Sequence, residues 1–323
     1  MELINNTAYP HLLFRTAMLD DMMAVAPMLR VTYDVRNGIC TPSKEQFWKL
    51  DPAPWEGLYG PMESDYVFQR GGIDVMVFGN AVAPNNIPIQ RMLVKVAIAG
   101  KLSKEIMVIG NRKWKQMVTG LSITNPEPFT EMPIGLANAY GGWAVWDELR
   151  FPYSNNPHGK GFIWEKEFAD GVPLPNVENP QQLITEWNQK PHPETLGSMP
   201  MCEKKVNHSA TINYEKKELG SLSNTFFNAS LPDMIVKELL PGEEIIVEGM
   251  TSKGNFKMVV PDHSFSADIF LGTQTNVRKM QIDQIGVEPN IGRAFITYRY
   301  PFNYKVIPGK QRTITLYEKT TAL

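Results

Sequence analysis

The sequence predicts a mainly β protein, with antiparallel sheets in a sandwich or barrel-like arrangement, long ordered loops and one or two short helices. Three observations lead there. Short runs rich in Val, Ile, Thr and aromatic residues recur in the first and last thirds of the chain, each bounded by turn residues. No strand-helix-strand alternation of the kind that builds a parallel sheet is visible, and no internal repeat aligns. The 25 prolines and 24 glycines among 323 residues imply many turns, while 43% hydrophobic and 20% charged residues are ordinary proportions for a folded chain.

Taken in order, Met28 to Val35 reads as a strand that turns at Asn37-Gly38, a dipeptide tolerant of positive φ, and returns through Ile39-Cys40-Thr41. Residues 73–79 and 92–98 are further strands, with Pro84-Asn85-Asn86 turning the chain between them. Ala99-Gly100-Lys101 then reverses it into a strand from Glu105 to Ile109. From about Ser122 to Met199 neither periodicity is sustained, and the segment is expected to be irregular. It is also expected to be ordered, because Trp143, Trp146, Phe151, Tyr153, Phe162, Trp164 and Phe168 supply large apolar surface, on the order of 2 kcal/mol each if buried. One short helix is expected at Asn179 to Gln189, where Pro180 occupies the first turn and Leu183, Ile184 and Trp187 share a face. Asp233 to Leu240 fits one or two helical turns, although its apolar positions choose neither period cleanly.

The last third returns to strands at Glu244 to Val247, Phe256 to Val260 and Asp268 to Leu271, separated by turns at Ser252-Lys253-Gly254-Asn255 and Pro261-Asp262. Two longer strands, Val277 to Ile285 and Ala294 to Tyr300, are joined across Glu288 to Gly292, and Thr313 to Tyr317 is expected at a sheet edge. The length exceeds that at which a single core usually stops growing. The chain accordingly divides into an N-terminal β-rich region (1–121), an irregular middle rich in Pro, Gly and aromatics (122–222) and a C-terminal β-rich region (223–323), or folds as one continuous domain. Whether the two β-rich ends form separate sheets or pair with each other is open at this stage.

A net charge of -2, with Lys and Arg scattered, provides no field for phosphates, so nucleic acid is not expected as a partner. Cys40 and Cys202 are too few for a disulfide framework and fit a reduced, cytoplasmic protein. The N-terminus lacks a basic start, and His11, Arg15, Asp20 and Asp21 interrupt any signal-peptide core; no apolar run approaches the roughly 20 residues of a membrane span. Neither export nor membrane insertion is expected.

Tests for chemistry give mostly structural readings. The five histidines, at 11, 158, 192, 208 and 263, show no ligand spacing, so neither a metal nor a cofactor is expected. Asp262-His263-Ser264 holds the residue types of a hydrolase triad, but consecutive side chains cannot pass a proton along a line, and a solvated turn is the preferred reading. Glu63 and Asp65, if on a strand, would share a face about 7 Å apart, a glycosidase-like separation. The same acids beside Arg70, Asp74 and Arg112 are preferred as an ion-paired network that fixes a loop. Tyr140-Gly141-Gly142 and Asn156-Pro157-His158-Gly159 lack a phosphate-loop Lys-Ser/Thr and read as tight chain reversals. Trp114 and Trp143 are assigned to the core. No catalytic set results.

One group of motifs is collinear. It runs from ESDYVFQRGGIDVMVFGNAVAP at residues 63–84 through Gly110-Asn111-Arg112-Lys113-Trp114, Ala139-Tyr140-Gly141-Gly142, Asn156 to Phe162 and Leu174 to Pro180. Phe226-Phe227-Asn228-Ala229, Pro232-Asp233 and Leu240 to Glu244 follow. In order and spacing this set resembles the adaptor or chaperone family, catalogued as a domain of unknown function, that is encoded beside spike genes of bacterial type VI secretion systems. There are departures. Ala81-Val82-Ala83-Pro84 stands where the family usually has Ala-His-Ala-Pro, Arg70-Gly71-Gly72-Ile73-Asp74 where it has Lys-Pro-Gly-Thr-Asp, and Asn111 replaces an acid. Met201 to Leu222 does not align.

The resemblance implies a cytoplasmic, non-enzymatic adaptor that binds an effector protein and helps load it onto a VgrG-type spike protein. It marks Glu63, Ser64, Asp65, Arg70, Asp74, Arg112, Trp114, Tyr140, Gly141, Gly142, Asn156 and Asn176 as partner-binding or motif positions, and leaves 201–222 as the segment where partner choice differs. The alternatives are a carbohydrate-active hydrolase using Glu63 or Asp65 and a structural component of the secretion machine.

Overall fold

Three sheets close around one apolar core in a computed structural model that describes residues 1–213 and 218–319. The spine is the strand Met22–Arg36, whose inner face is apolar over most of its length. It belongs to an eight-stranded sheet running His11–Ala17, Met22–Arg36, Arg293–Arg299, Gln281–Glu288, Ile73–Val77, Ile235–Val236, with Ile39–Pro42 and Phe302–Lys305 also paired to the spine. A five-stranded sheet, Val177–Glu178, Leu102–Ile109, Arg91–Ile98, Glu244–Glu248, Phe256–Val259, contributes Val94, Val96, Ile106 and Ile245 to the same core. A four-stranded sheet, Glu2–Asn5, Thr313–Glu318, Phe265–Phe270, Thr275–Lys279, contributes Phe265, Ile269 and Leu316. The two β-rich ends therefore pair with each other: N-terminal Met22–Arg36 lies beside C-terminal Arg293–Arg299, with Val31 opposite Ile296.

The predicted hairpins are present where turn chemistry was explicit. Asn37 and Gly38 have φ of 51° and 83° and join Met22–Arg36 to Ile39–Pro42. Gly100, at φ 70°, joins Arg91–Ile98 to Leu102–Ile109. Both cysteines are free.

Five expectations need correction. Asn179 to Gln189 is not helical, because side chains capture the amides a helix would use: Asn179 Oδ1 accepts from Gln181 N, Glu178 Oε2 from Ile184 N, and Gln189 Oε1 from Thr185 N and Glu186 N. The α-helix lies instead at Glu203–Ser209. Residues 233–240 give only a short 3-10 turn, Pro232–Met234, followed by the strand Ile235–Val236. The run from Val277 to Ile285 is not one strand: Thr275–Lys279 pairs with Phe265–Phe270, the buried Met280 forms the joint, and Gln281–Glu288 pairs with Arg293–Arg299 in another sheet. Thr313–Glu318 is not an edge, since Glu2–Asn5 pairs with it in parallel on the side away from Phe265–Phe270. Finally, Glu63 and Asp65 lie in irregular chain after the strand Gly60–Met62, so the shared strand face does not form.

Most pairings are antiparallel, as expected. Parallel pairs join Ile73–Val77 to Gln281–Glu288, Glu2–Asn5 to Thr313–Glu318 and Tyr140–Gly141 to Lys160–Gly161. Each links segments separated by long stretches of chain, where no tight hairpin dictates direction.

Candidate functional site

The motif at 63–74 enters the interior and forms a balanced set of charges. Arg30 Nη2 lies 2.6 Å from Asp65 Oδ1, and Arg30 also donates to Thr297 Oγ1, Gln284 Oε1 and the carbonyl of Lys49. Asp65 Oδ2 accepts from Asp51 N. Arg70 reaches Asp74 Oδ2 at 3.5 Å and Asp283 Oδ2 at 3.3 Å, while Arg299 Nε reaches the same Asp283 oxygen at 2.9 Å. Asp74 is held further by Ser230 Oγ at 2.6 Å, Asn228 Nδ2 at 3.0 Å and the amides of Ala229 and Ser230. Three guanidinium groups thus meet three carboxylates. Burial pulls Arg30 below its ordinary value against the pull of Asp65. At Arg70 burial acts the same way, but Asp74, Asp283 and Asp65 outweigh it and raise the group. Buried charges persist only where partners replace water in this way.

Local sequence makes this approach possible. A Cβ on Gly71 would lie 2.4 Å from Thr225 N, and one on Gly72 2.6 Å from Ile235 Cγ2. Ser64 ties the preceding loop, donating from Oγ to the Pro52 carbonyl and accepting from Tyr66 N. Glu63 makes no ion pair among the described residues; its amide faces Ser198 Oγ at 3.4 Å.

The other motif positions form a second centre. Arg112 pairs with Glu178 rather than with the 63–74 acids. Burial pushes the Glu178 carboxyl above its usual range, opposed by Arg112 and by the Ile184 amide. Asn176 Nδ2 donates to the Ile109 carbonyl, and Asn156 Nδ2 to the carbonyls of Leu136 and Tyr140. Gly141 and Gly142 take φ of 149° and 89°; a Cβ on Gly141 would lie 2.1 Å from the Asn156 carbonyl oxygen. This is the tight reversal expected of the motif. Trp114 and Tyr140 pack with Phe162, Leu174 and Ile184 in a separate apolar cluster. None of the twelve positions marked by the resemblance is exposed: Glu63, Ser64 and Arg112 are half-buried and the others buried.

The exposed surface of the middle region has a different character. Trp143–Trp146 and Leu149–Pro152 form a two-stranded hairpin in which Ala144 pairs with Phe151 and turns into the cluster. Strand alternation then sends Trp143 and Val145 outward. Trp143 is 50% exposed, Trp146 42% and Leu149 60%. Trp143 is therefore surface, not core as expected. Trp164, also exposed, meets Phe151 edge-on at 4.9 Å between ring centroids, and Lys190 Nζ lies 4.5 Å from its centroid.

A cleft of about 580 Å³ opens over the charge set, with Arg70, Asp283, Arg299, Tyr298 and His263 among its lining residues. His263 is not a solvated turn residue. Its Nδ1 lies 2.7 Å from Tyr33 Oη and its Nε2 2.8 Å from Glu318 Oε1, between the rings of Tyr9, Tyr33 and Phe265. Burial raises the hydroxyls of Tyr33 and Tyr298 above their ordinary values. Among the described residues no group of three or more His, Cys, Asp or Glu is arranged to hold a metal ion.

Sequence reasoning missed Arg30, Asp283, Gln284 and Arg299, and also the Asn228 and Ser230 clamp on Asp74. A signal existed for Arg30, a charged residue between the apolar Met28-Leu29 and Val31, where an ion needs a buried partner; Asp283 stands in a strand that is half polar and gave none.

These features define a mainly β protein in which the twelve marked motif positions are interior fastenings. The chain belongs to a family of uncharacterized proteins conserved in bacteria, DUF2169, matched over residues 20–299. No curated protein and no solved structure matches it. Among the described residues no helix is long and apolar enough to cross a membrane.

Proposed function

We propose that this protein is a non-enzymatic cytoplasmic adaptor that holds a toxic effector and helps load it onto a type VI secretion spike. The observation that carries the reading is the exposed hairpin with Trp143, Val145, Trp146 and Leu149 at its surface and Trp164 beside it. Large aromatic side chains presented on an ordered strand pair are the anchors from which protein interfaces draw most of their binding energy. The collinear motifs shared with the adaptor family support it, and so does their placement, because interior fastenings suit a common scaffold that carries a separate recognition surface. The state of Asp65 argues against its use as a hydrolytic acid or base: it is 2% exposed, with one oxygen on Arg30 and the other on the Asp51 amide. A general acid or base needs a free oxygen within reach of substrate.

The test is co-expression with the toxin encoded beside the gene. The chain and toxin are expected to co-elute, and Trp143→Ser with Trp146→Ser is expected to separate them without changing the melting temperature. A purified chain that binds no neighbouring toxin or spike protein, and hydrolyses a glycan in a manner abolished by Glu63→Gln with Asp65→Asn while the fold is retained, would overturn the reading.

A further inference from the structure

We propose that the cleft over Asp283 receives an extended polypeptide segment of another protein, which lies beside Gln281–Asp283 as a short added strand. This does not rest on the adaptor reading or on the aromatic hairpin.

The cleft lies where the chain passes between sheets. Its walls include the three connections that carry the chain between sheets, 237–241 from the eight- to the five-stranded sheet, 261–264 from the five- to the four-stranded sheet and 279–281 back to the eight-stranded one, with residues 69–73 across from Gln281–Asp283. A β ladder beside it is unfinished. Gln281–Glu288 pairs with Arg293–Arg299 from Gln281 onward, but its parallel partner Ile73–Val77 joins only at Gln284, opposite Asp74. Before that point the neighbouring chain turns away through Gly72 and Gly71, whose amide donates to Asn228 Oδ1. Gln281, Ile282 and Asp283 consequently have a strand neighbour on one side, and their other edge borders the cleft.

Asp283 lies on this edge. The pairing passes from Ile282 opposite Tyr298 to Gln284 opposite Thr297, so Asp283 is the extra residue of a β-bulge. Bulges of this kind re-aim a side chain. The residue is 8% exposed, and both guanidinium Nε groups fall on its Oδ2; among the described residues its Oδ1 accepts no hydrogen bond. A carboxylate oxygen that borders a cleft and accepts nothing from the protein is open to a ligand N–H or O–H.

Charge and shape narrow the ligand. The charges beneath the cleft cancel, and at its rim Lys237 and Lys279 are balanced by Glu238 and Asp262, so there is no field for a nucleotide or other polyanion. A peptide main chain, neutral and presenting N–H and C=O groups alternately, matches both the open strand edge and the lone acceptor. Leu239, Pro241, Ile282 and Pro301 offer apolar contact for flanking side chains. The volume falls within the roughly 300–1,000 Å³ of ordinary ligand clefts. Above Asp283 the segment carries Ser, Thr or Asn. Arg70 and Arg299 disfavour a cation there, and Asp283 disfavours an acid.

The test uses the whole chain and random capped heptapeptides displayed on phage, with the best sequence then synthesised and titrated by fluorescence polarisation. Enriched sequences are expected to place Ser, Thr or Asn between apolar residues. Gln281→Trp, at an exposed position that would close the cleft, is expected to weaken the peptide at least tenfold, while Trp143→Ser leaves its affinity unchanged. In the wild-type chain, amide exchange at residues 281–283 should slow when the peptide is added, a readout that does not depend on how the variant folds. No enriched sequence, equal affinity for the Gln281→Trp chain, or unchanged exchange at 281–283 overturns the proposal. Because the peptide control retains the hairpin and the toxin test retains the cleft, failure of one reading is distinguishable from failure of the other.

Discussion

The charge set under the cleft and the hairpin at 143–152 invert the usual distribution of residue types. Arg30, Arg70, Arg299, Asp65, Asp74 and Asp283 are buried, whereas Trp143, Val145, Trp146 and Leu149 are exposed. Each is explained by what surrounds it. The charges are tolerated inside because each meets an opposite charge and further donors or acceptors. The hairpin is ordered because alternate residues, Ala144 and Phe151, anchor it in the second apolar cluster. The marked motif residues thus hold the scaffold, and the exposed hairpin at 143–152 lies outside the motifs.

That contrast can be broken first in the interior. Asp283→Ala leaves two buried guanidinium groups without their shared carboxylate, and breaking a buried pair costs about 3–5 kcal/mol. Denaturant unfolding should show that loss or no folded protein at all; a change under 1 kcal/mol would mean that water, not the protein, solvates these groups.

A finer test uses the acidic pair singled out in the sequence. Asp65→Asn removes the charge facing Arg30 and is expected to destabilise by about 1.5–3 kcal/mol, in the range of hydrogen bonds to charged groups. Glu63→Gln, half-buried and without an ion pair, should stay within about 0.5 kcal/mol of wild type. Equal effects in the two melting curves would contradict the geometry.

Gly141→Ala forces a Cβ toward the Asn156 carbonyl at a φ of 149° and should lose about 1–3 kcal/mol. Near-UV circular dichroism should then report disturbed packing around Tyr140 and Tyr153, which meet edge-on at 5.1 Å. An unaltered spectrum and melting curve would remove the close approach from the account.

The smallest expected effect depends on pH. Burial alone would raise the Asp233 carboxyl, but Lys104 and Lys204 outweigh it and hold it below the ordinary 3.8. A depressed folded value means that the stabilisation is complete above the unfolded value and fades as pH falls through the folded one. The stability gap between wild type and Asp233→Asn should therefore be constant near neutrality and shrink below pH about 4. A gap that widens on acidification would reverse the sign.

Much of the fold was legible because turn residues announce themselves. Asn37-Gly38 and Gly100 fix hairpins, and the short Val- and Ile-rich runs become strands. The switch between sheets at Met280 was not legible, since its neighbours include neither proline nor glycine and pairing is decided by chain distant in sequence. The missing helix at 179–189 has a local cause: Asn179, Glu178 and Gln189 bond the nearby backbone, a competition that periodicity does not weigh. Of the buried charge set, Asp65, Arg70 and Asp74 were visible through their motif, but Arg30, Asp283 and Arg299 lie in strands that only the folded sheet brings alongside. Trp143 was misplaced because an aromatic residue in a short strand faces inward or outward according to register. The segment 201–222, expected to vary with the partner, includes residues 214–217, which lie outside the described residues.

In the proposed adaptor the exposed aromatics of the middle region hold the cargo while the buried motif residues hold the scaffold. Calorimetric titration of the proposed cargo, a toxin co-purified with the chain, against the wild-type chain and the Trp143→Ser, Trp146→Ser double variant separates the two roles. Affinity is expected to be at least tenfold weaker for the variant at an unchanged melting temperature. Equal affinity in the two chains would contradict it.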